Sequence, residues 1–186
     1  MFDCDLQFPH AYELREIGEL TGSGQSALPL HYFPAPTSRP ERDGWWIEVC
    51  PHADQQWWGV FAHGYSSPPG ISRALSTPDP KRMCVISGGQ AYVVSAANPR
   101  DWNVVPVLPI TDACSVLQHE LLLFADFSRV TAWGKDGMVW QVQFNFDGLN
   151  FTSVTPDLIT GQGYEPALNQ DAQFVIETRT GKVLRG

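Results

Sequence analysis

The sequence predicts an all-β protein: an antiparallel meander folded into a sandwich or open barrel, with an N-terminal arm and little helix. Three observations lead there. In the stretch 121–146, Met138, Trp140, Val142, Phe144 and Phe146 alternate with Val139, Gln141, Gln143 and Asn145. That period of two suits a strand with one face on a core and the other toward water. Asp136-Gly137 and Asp147-Gly148 bracket the alternating run, and such dipeptides tolerate the positive φ of tight hairpin turns. Finally, 15 prolines and 16 glycines in 186 residues imply many turns and few long helices.

Taken in order, residues 1–44 read as an arm and 45–186 as a single β domain. Within the arm, Leu14, Ile17 and Leu20 fit a short amphipathic helix over 12–20, but Gly18 weakens it and a strand fits nearly as well. Residues 21–27, TGSGQSA, have the composition of a flexible linker. Pro34, Pro36 and Pro40 then impose an extended path toward Asp43-Gly44. Two apolar runs, 45–49 and 57–62, form a hairpin, and the loop 63–70 follows it. RMCVIS turns at Gly88-Gly89 into QAYVVS, which Asn98-Pro99 ends. Further strands are expected over 102–108, 113–117, 121–125, 130–133, 138–146, 151–154 and 158–161. Gly161-Gln162-Gly163 reads as a turn and 165–171 as a loop. A last hairpin, 173–177 with 182–184, turns at Thr180-Gly181.

Composition excludes several classes. The net charge is −8 with a pI near 4.9, and no basic cluster offsets that sign, which argues against nucleic acid as a partner and favours a basic protein. Acids at Asp3 and Asp5 replace the apolar core of a secretory signal, and no stretch is apolar and long enough to span a bilayer. Cys4, Cys50, Cys84 and Cys114 follow no disulfide or zinc spacing. Four free thiols in a cytoplasmic protein are expected, with Cys84 and Cys114 buried in strands. The Asn150-Phe151-Thr152 sequon reads as chance in that setting.

Three segments share a strand–turn–strand form: GGQAYVVSAANP, RVTAWGKDGMVW and QFVIETRTGKVLRG. The ADFSRVTAWGKDGMVW and ETRTGKVL stretches resemble blade hairpins of quinoprotein-type and related β-propellers, although no period of about forty residues repeats cleanly. The span 80–186 also resembles uncharacterised bacterial proteins with a Gly-Gly-x-x-Tyr strand, an Ala-aromatic-Gly-x-Asp-Gly-x-x-Trp hairpin and a final Thr-Gly hairpin. Here these are Gly88-Gly89-Gln90-Ala91-Tyr92, residues 132–140 and Thr180-Gly181. The resemblance implies a β fold and no activity.

Catalytic motifs are missing. Gly22-Ser23-Gly24 has the wrong spacing for a nucleophile elbow, and neither a phosphate-binding loop, H-E-x-x-H nor C-x-x-C occurs. No cofactor is expected. The one metal candidate combines Cys50, His52 and His63, with Cys84 as a fourth ligand, but a buried thiol and two loop histidines explain these residues better. Glu48, Asp54 and Glu120 are available as carboxylates, whereas Asp136 and Asp147 precede glycines and suit turns.

The paired tryptophans are more informative. Adjacent strand residues point to opposite faces, so Trp45-Trp46 and Trp57-Trp58 each put one indole on each side of a sheet. If Val49 pairs with Trp57, one face holds Trp45, Ile47, Val49, Trp57, Gly59 and Phe61. The other holds Trp46, Glu48, Trp58, Val60 and Ala62. The first is the expected core; the second mixes indoles with a carboxylate, as a partner surface does, unless the arm covers it. Trp46, Glu48 and Trp58, with His63 and Tyr65 from the following loop, are the predicted binding residues. Three function classes stay open: a non-catalytic protein-binding module, in its sharpest form an immunity-type inhibitor of a basic toxin enzyme; a small-molecule or carbohydrate-binding module; and an enzyme with an unrecognised site. The sequence does not set the oligomeric state.

Overall fold

Strands account for nearly all regular structure in the computed structural model, which describes residues 3–18, 28–35, 43–52, 55–64 and 70–186. In chain order they are β1 (Cys4–Asp5), β2 (Tyr12–Glu16), β3 (Leu30–Phe33), β4 (Gly44–Pro51), β5 (Trp57–Ala62), β6 (Arg73–Ser76), β7 (Arg82–Ser87), β8 (Gln90–Ser95) and β9 (Trp102–Val104). They continue with β10 (Asp112–Val116), β11 (Leu121–Ala125), β12 (Arg129–Gly134), β13 (Gly137–Gln143), β14 (Asp147–Val154), β15 (Leu158–Glu165), β16 (Gln170–Glu177) and β17 (Val183–Arg185). A 3₁₀ turn at Leu117–His119 is the one helical element among the described residues.

The strands form four sheets. The first has the order β2-β4-β5-β3, with β3 parallel to β5. The second is β1-β6-β7-β8-β9, with the short β1 parallel to β6. The third, β10-β11-β12-β13, and the fourth, β14-β15-β16-β17, are pure antiparallel meanders. Residues 12–16, which suit either a short helix or a strand, form a strand beside β4. The N-terminal region thus supplies one strand to the second sheet and both edges of the first.

Three buried clusters lie between consecutive sheets. Ile47, Val49, Trp57 and Phe61 of the first sheet meet Met83, Val85, Tyr92 and Val94 of the second. Cys84, Ile86, Ala91 and Val93 on the other side of the second sheet meet Ala113, Leu122 and Phe124 of the third. Leu121, Leu123, Val130 and Ala132 then meet Leu149, Ile159, Phe174 and Ile176 of the fourth. The two middle sheets therefore bury both faces. That is why RMCVIS, QAYVVS and LLLFA are apolar on both faces, while β15 and β16 of the fourth sheet keep polar residues on one side.

Turn chemistry agrees. Gly88 and Gly89 have φ of 52° and 82°, the two consecutive positive values of a type I′ hairpin between β7 and β8. Lys135-Asp136 closes β12 onto β13, with Gly134 paired to Gly137. Several expectations need correction: Asp147-Gly148 opens β14 rather than making a turn, and the strand expected over 102–108 ends at Val104. The strand expected to reach Phe146 ends at Gln143, and Phe144 and Phe146 lie in the connection to β14, stacked with centroids 5.6 Å apart. Gly161-Gln162-Gly163 is not a turn but the middle of β15. A Cβ on Gly161 would sit 2.1 Å from the Phe174 ring and 2.5 Å from the Asn150 carbonyl. Glycine there makes room for the core rather than for a bend.

Candidate functional site

The tryptophan hairpin has the register expected from its alternation. Val49 pairs with Trp57, Ile47 with Gly59, and Trp45 with Phe61. The face toward the second sheet carries Ile47, Val49, Trp57 and Phe61, with Trp45 at its margin. Trp57 is buried there, and its Nε1–H donates to the Ala96 carbonyl at 2.7 Å. Trp45 is half-buried and donates to Glu16 Oε1 at 2.8 Å.

The distal face carries Trp46, Glu48 and Cys50 from β4 and Trp58 and Val60 from β5. Tyr32 of β3 lies beside Val60. Glu48 is directly across from Trp58 on one side and from Arg15 on the other. The Arg15 guanidinium bonds Glu13 at 3.0 Å, so Glu48 has no hydrogen-bond or ion-pair partner among the described residues. This face is not fully open: Trp46, Glu48 and Trp58 are half-buried, and Val60 is 1% exposed. The Trp58 indole N–H is buried with no acceptor among the described residues. Burial, then the Glu48 carboxylate, push the Cys50 thiol above its ordinary value, so the thiol on this face stays neutral.

His63 follows β5 at its end and is exposed. Ser87 Oγ–H donates to the Phe61 carbonyl at 2.9 Å. With that single proton committed, His63 Nδ1–H donates to Ser87 Oγ at 2.8 Å. The buried hydroxyl anchors the ring and is not poised as a nucleophile, which would need its proton taken by the imidazole. Tyr65 and Asp54 lie outside the described residues.

The metal candidates do not converge. Cys84 is in the cluster between the second and third sheets, Cys50 is on the distal face of the first, and His52 is exposed at the end of β4. Among the described residues no three His, Cys, Asp or Glu side chains are grouped to hold an ion. All four cysteines are free. Cys84 is buried and Cys114 half-buried, with burial pushing the Cys114 thiol up to about 12. Glu120 sits beyond the 3₁₀ turn of the third sheet at φ 53°, two sheets away from Glu48.

A second feature lies at the other end of the stack. A groove of about 740 Å³ runs along the fourth sheet, lined among others by Gln143, Gln162, Glu165, Asp171, Gln173 and Arg185. A smaller hollow of about 330 Å³ adjoins it, sharing Gln162 and Asp171. None of these residues is among the predicted binding residues. The available signal was the alternation of Gln141 and Gln143 and the glutamine between two glycines in β15. Comparison with protein-family models and with curated proteins finds no match for this chain.

Proposed function

We propose that this protein is a non-catalytic protein-binding module that meets a basic partner through the distal face of its first sheet. The observation that carries this reading is Glu48, with no side-chain hydrogen bond or salt bridge among the described residues, set directly across from Trp58 and two residues along β4 from Trp46. Half-buried indoles supply the large amphipathic contact area typical of interface anchors, and an unpaired carboxylate beside them selects for positive charge. A net charge of −8 extends that selection over long range by steering a basic partner toward the surface. An immunity-type inhibitor of a basic toxin enzyme, acting in the bacterial cytoplasm, is the sharpest form of the reading.

The test is capture from a native cell extract on the immobilised protein, repeated with Trp46→Ala and Glu48→Lys. The reading expects a basic protein to be retained, with retention weakened about tenfold or more by either variant while the melting temperature stays near wild type. Capture of no basic protein, or capture indifferent to both substitutions, would overturn it.

A further inference from the structure

The hollow on the fourth sheet is lined by Asp147, Asn150, Gln162, Tyr164 and Asp171, and the groove beside it reaches Gln162, Asp171 and Gln173 as well as Phe144 and Phe146 of the cluster facing the third sheet. Gly161 and Gly163 turn toward the core, against Phe174 and Leu149. Gln162 and Tyr164, their neighbours in β15, therefore point to the face directed away from the third sheet. Pairing then lays two rows across this face. Gln162 of β15 is the cross-strand neighbour of Asn150 on β14 and of Gln173 on β16. Asp147, Tyr164 and Asp171 form the adjacent row. Members of a row are about 5 Å apart. Tyr164 is 41% exposed, yet its hydroxyl is held by Asn169 Oδ1 at 2.5 Å. The ring thus presents a fixed apolar plane between two carboxylates. The three amides and both carboxylates have no hydrogen-bond partner among the described residues.

We propose that this surface binds an uncharged oligosaccharide. A side-chain amide offers a donor and an acceptor together, as does each sugar hydroxyl. A row of three amides at strand spacing therefore matches successive hydroxyls of a sugar chain. Carboxylates accept from vicinal hydroxyls, and the clamped phenol ring offers a stacking plane for the C–H face of a pyranose. Other ligand classes fit less well. Among the described residues Arg185 is the one cation lining the groove, and it shares that lining with Glu165 and Asp171, so a phosphate or other anion meets net negative charge. An extended peptide is recognised by the unpaired backbone of a sheet edge, whereas these rows lie on a sheet face whose backbone groups are already paired.

The experiment is a titration of the intact protein, followed by NMR, with cellotriose, maltotriose, chitotriose and, as a contrasting ligand, trilysine. At least one trisaccharide is expected to bind in the millimolar range and to shift amide signals of β14–β16. Gln162→Ala and Tyr164→Ala should each weaken it about tenfold. Tyr164→Phe, which keeps the plane, should retain most of the affinity, and Trp46→Ala at the far end of the stack should change nothing. Unchanged melting of Gln162→Ala and Tyr164→Phe separates loss of binding from loss of fold. Absence of saturable binding by all three sugars, binding that survives both alanine variants, or binding of trilysine alone would overturn the proposal. Because the site is remote from Trp46 and Glu48, its failure leaves the protein-binding reading standing, and the converse holds as well.

Discussion

Adjacent tryptophans in β5 do opposite things, and their indole nitrogens show why. Trp57 Nε1–H has the Ala96 carbonyl at 2.7 Å, while Trp58 Nε1–H is buried without an acceptor among the described residues. A buried donor left unmade costs about 1–3 kcal/mol, and the same figure is recovered when the donor is removed. Trp57→Phe should therefore destabilise by about 1–3 kcal/mol, and Trp58→Phe should be neutral or stabilising. Chemical denaturation of the two variants checks this, and equal losses in both would contradict it. His31 adds a pH term. It packs edge-on against Trp57, with ring centroids 5.4 Å apart. Burial first, and then the Arg100 charge, hold its pKa below the ordinary 6.5. The folded protein thus binds fewer protons than the unfolded chain, so stability is present above the unfolded value and declines as pH falls below it. Thermal melts should show wild type losing more stability than His31→Asn between about pH 7.5 and pH 5.5. Parallel curves would exclude His31 as the source.

At the level of elements, glycine decides how closely strands of the fourth sheet approach their core. Gly161→Ala would force a Cβ against both a ring and a backbone carbonyl, and the carbonyl cannot move aside without distorting β14. The expected cost is about 3 kcal/mol, read as a lower urea midpoint; a loss within error would mean that β14 shifts freely. This position also marks the limit of what the sequence discloses. The hairpin of β4 and β5 was legible to the residue, because Trp, Ile, Val and Phe leave one register that buries an apolar face. The middle strands were legible as apolar runs. Gly161-Gln162-Gly163 was not, since glycine signals a turn and a close approach with the same letter. The repeat was hidden for a related reason. RVTAWGKDGMVW and QFVIETRTGKVLRG hold the third and fourth strands of their sheets, whereas GGQAYVVSAANP, residues 88–99, holds the single strand β8. With only one strand in that segment, the three align over too short a stretch to show the spacing of Arg73, Asp112 and Asp147, where β6, β10 and β14 start. The polar rows of the fourth sheet were invisible because cross-strand adjacency is a property of register, not of spacing along the chain.

For the molecule as a whole, the arrangement of clusters matters more than any one of them. Sheets buried on both sides should open last and end sheets first, since local stability follows buried apolar contact. Hydrogen exchange should be slowest in β7, β8, β11 and β12 and fastest in β9 and β17; uniform protection would show instead that the four sheets open as one unit. The first residues complicate a simple end-to-middle gradient. β1 pairs with β6, Arg73 Nε donates to Asp3 at 2.8 Å, and Phe8 joins the cluster between the second and third sheets. The opening of the chain is thus tied to the interior of the stack. The face-to-face succession carries one further implication, for how such a molecule could change over evolutionary time. Each sheet answers only to its neighbours, so nothing in the packing counts how many there are. A duplicated meander inserted between β13 and β14 would find an apolar surface waiting on either side. What limits growth is the pair of faces at the two ends, and in this chain the fourth sheet's row of amides and carboxylates refuses another layer.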